Sequence, residues 1–179
     1  KEFISNEAII GIYYFRDGEN LKEELQYLID NNISKGGEYQ LTDALQNMLD
    51  KGLKFTTNDV KQWLDCGNKN ATVNTNQKIL DIKKDTEDFL SKEAFIDNSK
   101  IIQPCYIAKG VKIINSEIGP FVSIGENTII KDSLISNTII QNNTSLLKIK
   151  CTNSMIGSNA IIEGTTQELS LGDYSEIRL

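Results

Sequence analysis

From residue 101 onward isoleucines recur every six residues, at Ile101, Ile107 and Ile113, take a step of five to Ile118, resume at Ile124 and Ile130, and step by five again to Ile135. After a less regular stretch, Ile156 and Ile162 return to the six-residue step. Helical spacing does not produce this pattern; it is the hexapeptide repeat of a parallel β-helix. Each six-residue unit makes one flat side of a triangular coil. The aliphatic residue points inward and the small or polar residue that follows permits the corner, as in Ile107-Ala-Lys-Gly, Ile118-Gly-Pro-Phe, Ile124-Gly-Glu-Asn and Ile156-Gly-Ser-Asn. Three units close a turn, so residues 101–165 predict three to four coils, each burying its neighbour. The isoleucines are core residues and carry no chemistry. A parallel β-helix also leaves an open coil and a flat isoleucine-rich face, which pairing between subunits would protect, so a homo-oligomer is expected.

The rest of the chain is of a different kind. At 39% hydrophobic and 25% charged, its 179 residues have the composition of an ordinary globular protein able to bury a core. A net charge of −6 argues against nucleic acid as a partner, because phosphate recognition needs a surplus of Lys and Arg. The longest apolar run, residues 8–15 (Ala-Ile-Ile-Gly-Ile-Tyr-Tyr-Phe), is far short of the roughly 20 residues of a spanning helix and follows no signal-peptide pattern, so no membrane role is expected. Three dispersed cysteines, Cys66, Cys105 and Cys151, suggest neither a disulfide framework nor a zinc site and fit the cytoplasm.

Residues 8–15 predict a strand covered on both faces in a mixed or parallel sheet. Leu21, Leu25, Leu28, Ile29 and Ile33 predict an amphipathic helix capped by Asn20 and ended by Ser34-Lys-Gly-Gly37. A second helix over 43–51, capped by Thr42 or Asp43, presents Leu45, Met48 and Leu49 and stops at Gly52. Residues 55–64 read as an extended piece, a turn at 57–59 and a strand running into Asp65; a third helix covers about 72–90, with Val73, Ile79, Leu80, Ile82 and Phe89 on its buried side. The chain begins with Lys1 and enters a strand-like segment at once, which reads as a fragment of something longer. Two domains are expected, 1–92 and 93–179.

Histidine is absent, which removes the commonest general base near neutral pH and the commonest metal ligand. Asp65 is the residue best placed for chemistry. At the end of a predicted strand its carboxylate would emerge at the carboxyl edge of a sheet, where open α/β sheets bind ligands. A hard oxygen there suits Mg²⁺, whereas an Asp in this setting, taken alone, is more often a turn residue.

Three segments in order, residues 8–15, residues 37–43 (Gly-Glu-Tyr-Gln-Leu-Thr-Asp) and residues 63–67 (Trp-Leu-Asp-Cys-Gly), resemble successive motifs of the glucose-1-phosphate thymidylyltransferase and uridylyltransferase family. The resemblance covers residues 1 to about 80. It implies an α/β fragment, the C-terminal part of a Rossmann-like nucleotidyltransferase domain, followed by an all-β left-handed parallel β-helix. It implies an enzyme joining a nucleoside triphosphate, dTTP or UTP, to a sugar 1-phosphate, by default glucose 1-phosphate, with release of pyrophosphate. Asp65 would be one of two carboxylates holding Mg²⁺, and the strand with Ile9, Gly11 and Tyr13 would line the sugar pocket. No protein nucleophile is required, since a metal bridging two anions neutralises and aligns them. Gly11 serves either close strand packing or room for the sugar; Glu38 either approaches the sugar or fixes its loop; Trp63 packs beneath the site. The family's glycine-rich triphosphate loop, first metal-binding aspartate and Glu-Lys-Pro segment do not occur in these residues, so residues 1–179 alone are expected to be inactive. A catalytically idle assembly or regulatory subunit is the alternative. A hexapeptide acyltransferase is disfavoured, because the resemblance to that group implies a histidine base.

Overall fold

A computed structural model describes residues 7–164 and 168–178. They fall into two units, one ending at Lys61 and one beginning at Gln62.

The first unit is built on a pair of helices, α1 (Gly18–Asp30) and α2 (Leu41–Asp50). Asp17, not Asn20, caps α1: its Oδ1 accepts the Glu19 amide at 3.1 Å and its Oδ2 accepts the Asn20 side chain at 2.8 Å. The helix ends at Asp30, four residues before the expected Ser34, because Asn32 takes a left-handed conformation (φ 52°). The amides of Asn32 and Ile33 then reach back to the carbonyls of Ile29 and Leu28, which satisfies the last turn. Gly52 (φ 88°) ends α2 in the same way, as expected, with Gly52 and Leu53 bonded to Leu49 and Met48. No side chain caps α2, whose N-cap is Gln40; Asp43 instead sits in its first turn, where a carboxylate favours the helix dipole. Leu28, Ala44 and Met48 are the buried apolar contacts, and Leu49, expected inside, is exposed.

The strand expected over residues 8–15 does not form. The segment is irregular, with Ile12 74% and Tyr14 88% exposed. A strand exists through its ladder partners, and among the described residues this unit contains no strand to pair with it. Residues 55–64 are likewise without strand structure, so of the expected α/β unit only the helices are present.

The first helix of the second unit is α3 (Lys69–Lys83), which starts earlier and ends earlier than the expected span of 72–90 and is capped by Asn68 through the Ala71 amide at 3.0 Å. Val73 and Leu80 are buried as expected, whereas Ile82 is exposed. Phe89 lies beyond the helix, edge-on to Tyr106 with ring centres 6.3 Å apart. Short strands follow, numbered in chain order. The first coil holds β1 (Phe95–Asp97), β2 (Lys100–Ile101) and β3 (Cys105–Ile107); the second β4 (Lys112–Ile114), β5 (Glu117–Ile118) and β6 (Val122–Ile124). The third holds β7 (Ile129–Lys131), β8 (Leu134–Ile135) and β9 (Thr138–Ile140); the fourth β10 (Ser145–Leu147), β11 (Lys150–Cys151) and β12 (Ser154–Ile156). β13 (Ile161–Glu163), β14 (Ser170–Leu171) and β15 (Glu176–Arg178) complete about five turns. The coil thus starts before residue 101 and runs past 165, which is why it exceeds the three to four turns counted from the isoleucines alone.

All pairing is parallel and stacks like on like. Ile113, Ile130, Leu146 and Ile162 form one fully buried column, continued at its ends by the partly buried Ile96 and Ile177. Ile107, Ile124, Ile140 and Ile156 form another. Burying each such side chain contributes about 2 kcal/mol. Corners need left-handed backbone, and Asn supplies much of it: Asn98, Asn115 and Asp132 (φ 44°, 48° and 49°) at one corner, Asn127, Asn143 and Asn159 (φ 56°, 56° and 58°) at another. Inside, hydroxyls bridge rungs: Ser99, Ser116 and Ser133 each accept, at 3.0 Å, the amide of Ser116, Ser133 and Ile149 in the coil above.

Candidate functional site

The residues singled out from the sequence divide between the two units. Ile9, Gly11 and Tyr13 lie in the irregular segment of the first, where Tyr13 stacks on Phe15 with ring centres 6.2 Å apart and Phe15 meets Phe55 edge-on at 6.4 Å. Gly11 has φ 82°, and a Cβ built there meets nothing within 4 Å, so its demand is for a left-handed backbone and not for room. Glu38 closes a tight turn across Gly36 and Gly37 (φ 61° and 85°): the Lys35 and Glu38 amides donate to each other's carbonyls at 2.9 and 3.2 Å. Its carboxylate is exposed, with the Gln40 side chain at 3.5 Å, and Lys35 ties the same turn to Asp43 at 2.6 Å.

Asp65 belongs to the second unit, in the turn that leads into α3. Its Oδ1 accepts the Gly67 amide at 2.9 Å, and its backbone carbonyl accepts the Thr75 hydroxyl at 2.6 Å. The next carbonyl, of Cys66, accepts the Thr72 hydroxyl at 3.2 Å. The carboxylate is therefore a turn-former through one oxygen, while its second oxygen has no protein hydrogen bond among the described residues. Trp63 is 58% exposed. The donor chemistry fits Mg²⁺, a hard ion that takes one or two carboxylates and completes its shell with water and phosphate oxygens. Asp65 would offer one such ligand, and no group of three or more His, Cys, Asp or Glu able to hold a metal occurs among the described residues.

Sequence reasoning missed what holds this turn. α3 lies against the solenoid face of β9 and β12, and Ser123 donates to Asn76 at 2.6 Å. At its N-terminus, Lys69 Nζ donates to the Asn153 carbonyl at 2.9 Å and to Glu168 at 3.0 Å. Asn153 in turn donates to Asn70 at 3.2 Å and to Glu168 at 3.5 Å. The Lys69 hydrogen bond holds the Glu168 carboxyl below the usual carboxylate range. Buried Glu24, paired with Lys51, was also missed; a Glu among leucines reads as a solvated helix position. The three cysteines are free thiols, and burial pushes Cys151 up to about 11 and raises Cys105.

No protein-family model matches the chain. It is similar over nearly its whole length to proteins named glucose-1-phosphate thymidylyltransferase: 25% identical to that of Streptomyces griseus and 26% to that of Streptomyces antibioticus, each over 98% of this chain and 54% or 53% of the relative. It is also 27% identical to the bifunctional protein GlmU of Clostridioides difficile, over 99% of this chain and 41% of the relative. The chain spans about half the length of the thymidylyltransferases it matches. The relatives that the motifs pointed to and those found by comparison are thus the same kind of protein.

Proposed function

We propose that these residues form part of a sugar-1-phosphate nucleotidyltransferase that makes a nucleoside diphosphate sugar and pyrophosphate, with glucose 1-phosphate and dTTP or UTP as substrates. Similarity to thymidylyltransferases across 98% of the chain carries this reading. Residues 1–92 would close a Rossmann-like catalytic domain and residues 93–179 a left-handed solenoid. Ile9, Gly11, Tyr13 and Glu38 would face the sugar. The exposed Phe95 and Ile161 on one solenoid face support self-association, which light scattering of the purified protein would read directly. Free thiols fit a reducing cytoplasm, and among the described residues no helix is long and apolar enough to cross a membrane.

Asp65 would hold Mg²⁺ through the carboxylate oxygen that the Gly67 amide leaves open. When bound, the ion supplies charge neutralisation between the phosphates. The protein's own part is to present one oriented anionic oxygen: the Gly67 amide occupies Oδ1 and so sets the carboxylate's rotation, while Thr75 fixes the backbone beneath it. The test is Mg²⁺-dependent pyrophosphate release by the full-length protein, beside Asp65→Asn. A fall of about 100-fold or more in the variant is expected for loss of a metal-binding carboxylate. Absence of release with any triphosphate would favour an idle assembly subunit instead. Residues 1–179 alone should give no product.

A further inference from the structure

We propose that Lys69 is a positioning residue that seats the Asp65 turn on the far coils of the solenoid, so that the β-helix sets the geometry of the metal-binding carboxylate. The proposal rests on the assignment of Asp65 to Mg²⁺ made above.

Lys69 is misplaced on helical grounds. It occupies the first turn of α3, where the dipole disfavours a cation, and that turn contains no acidic residue to offset it. Its reason therefore lies outside the helix. The side chain is only 20% exposed and divides its donors between the Glu168 carboxylate and the Asn153 carbonyl, at a corner whose left-handed backbone (φ 47°) aims that carbonyl outward. Asn153 returns the contact through Asn70 and Glu168, which closes a ring of four side chains between the first turn of α3 and the solenoid. An exposed ion pair alone would contribute little. A pair reinforced by a backbone carbonyl and an amide bridge fixes position.

That position passes to Asp65 by short links. Thr72 and Thr75, in the first two turns of α3, hold the carbonyls of Cys66 and Asp65, and Asn68 caps the same helix. Lys69 thus ties the first turn of α3 to the solenoid, and Thr72 and Thr75 tie the Asp65 turn to α3. Displacement of a catalytic group by about 1 Å costs as much as 100-fold in rate, so a seat of this kind has kinetic consequence.

The experiment uses the full-length protein with Lys69→Met, which keeps the aliphatic stem, and Lys69→Arg, which keeps the charge and donors. Hydrogen exchange of a peptide covering residues 64–76 should accelerate about tenfold in Lys69→Met, while residues 112–131 of the solenoid stay as protected as before. The half-saturating Mg²⁺ concentration should rise about tenfold with KM for the sugar phosphate within twofold of the parent, and Lys69→Arg should restore both. Unchanged exchange in Lys69→Met overturns the proposal, as does faster exchange with unaltered Mg²⁺ dependence. Full turnover in Asp65→Asn would sink the metal assignment and the positioning role with it, while the exchange data would still report the clamp.

Discussion

Glycine at three equivalent corner positions offers a test in which the protein supplies its own control. Gly125, Gly157 and Gly172 each follow the last inward aliphatic residue of their face, and none has a left-handed φ, so only space distinguishes them. A Cβ on Gly125 would lie 2.3 Å from Asn142 Oδ1 and 2.8 Å from the Asn142 nitrogen and the Gln141 carbonyl carbon. A Cβ on Gly157 would lie 2.4 to 2.6 Å from Gly172 and Asp173, while Gly172 faces open space. Overpacking of this severity costs about 1–3 kcal/mol. Pushing Asn142 aside also releases the Glu126 amide, which donates to Asn142 Oδ1 at 2.8 Å, for about 1 kcal/mol more. Gly125→Ala should therefore lose about 2–4 kcal/mol, Gly157→Ala a similar amount, and Gly172→Ala nothing, or gain about 0.5 kcal/mol from the stiffer unfolded chain. Adding Asn142→Ala to Gly125→Ala should recover only part of the loss, since the two backbone contacts at 2.8 Å remain. Urea unfolding followed by circular dichroism reads these differences. Equal costs at Gly125 and Gly172, or full rescue by Asn142→Ala, would refute the argument from crowding.

The same method should show Ile130→Ala, at the centre of a column with a neighbour on either side, losing about 3–5 kcal/mol, and Ile177→Ala, partly exposed at its end, about 1 kcal/mol. With a disulfide-forming chromogenic reagent near pH 8, Cys66 should react within the mixing time and Cys105 and Cys151 only on unfolding, because the exposed thiol alone is accessible; three fast thiols would contradict the burial. Cys151 also sets a pH dependence. Burial raises the folded pKa to about 11 from an ordinary thiol value of 9.0, so its contribution is full below pH 9 and is lost as pH rises toward 11, a fall of about 2–3 kcal/mol in unfolding free energy relative to Cys151→Ala.

The solenoid was legible because its signal is self-contained: a residue six places on meets its like whatever surrounds it. The stretch after Ile135 looked irregular only because Leu146 and Cys151 take the places of isoleucines, beside Ile140, and burial rather than residue type defines the column. Residues 8–15 misled for the opposite reason. β-Branched and aromatic residues make a strand only where a ladder accepts them, and the ordinary strand signal says nothing of the partner. Helix ends were misplaced where Asn32 and Asp17 competed with more conspicuous glycines and with Asn20. At the candidate site, Asp65 was visible as a carboxylate in a turn, but its seat was not, since Lys69 meets Glu168 across 99 positions of sequence. One long-range rule does lie open in hindsight. Above Gly125 and Gly157 the next coil carries Asn142 and Asp173, whose Oδ1 atoms accept the Glu126 and Ser158 amides beside the glycine.

Like-on-like stacking makes length a quantity that changes only in whole steps. Each coil adds about 4.8 Å along the axis, and any insertion shorter than a coil would shift every inward side chain out of its column. Duplicating a block such as residues 112–128 would instead lengthen the rod by one increment and leave every contact above and below it chemically unchanged. A chain built this way can alter its reach by duplication without redesigning its interior, and point substitution can adjust the two ends independently of the span between them.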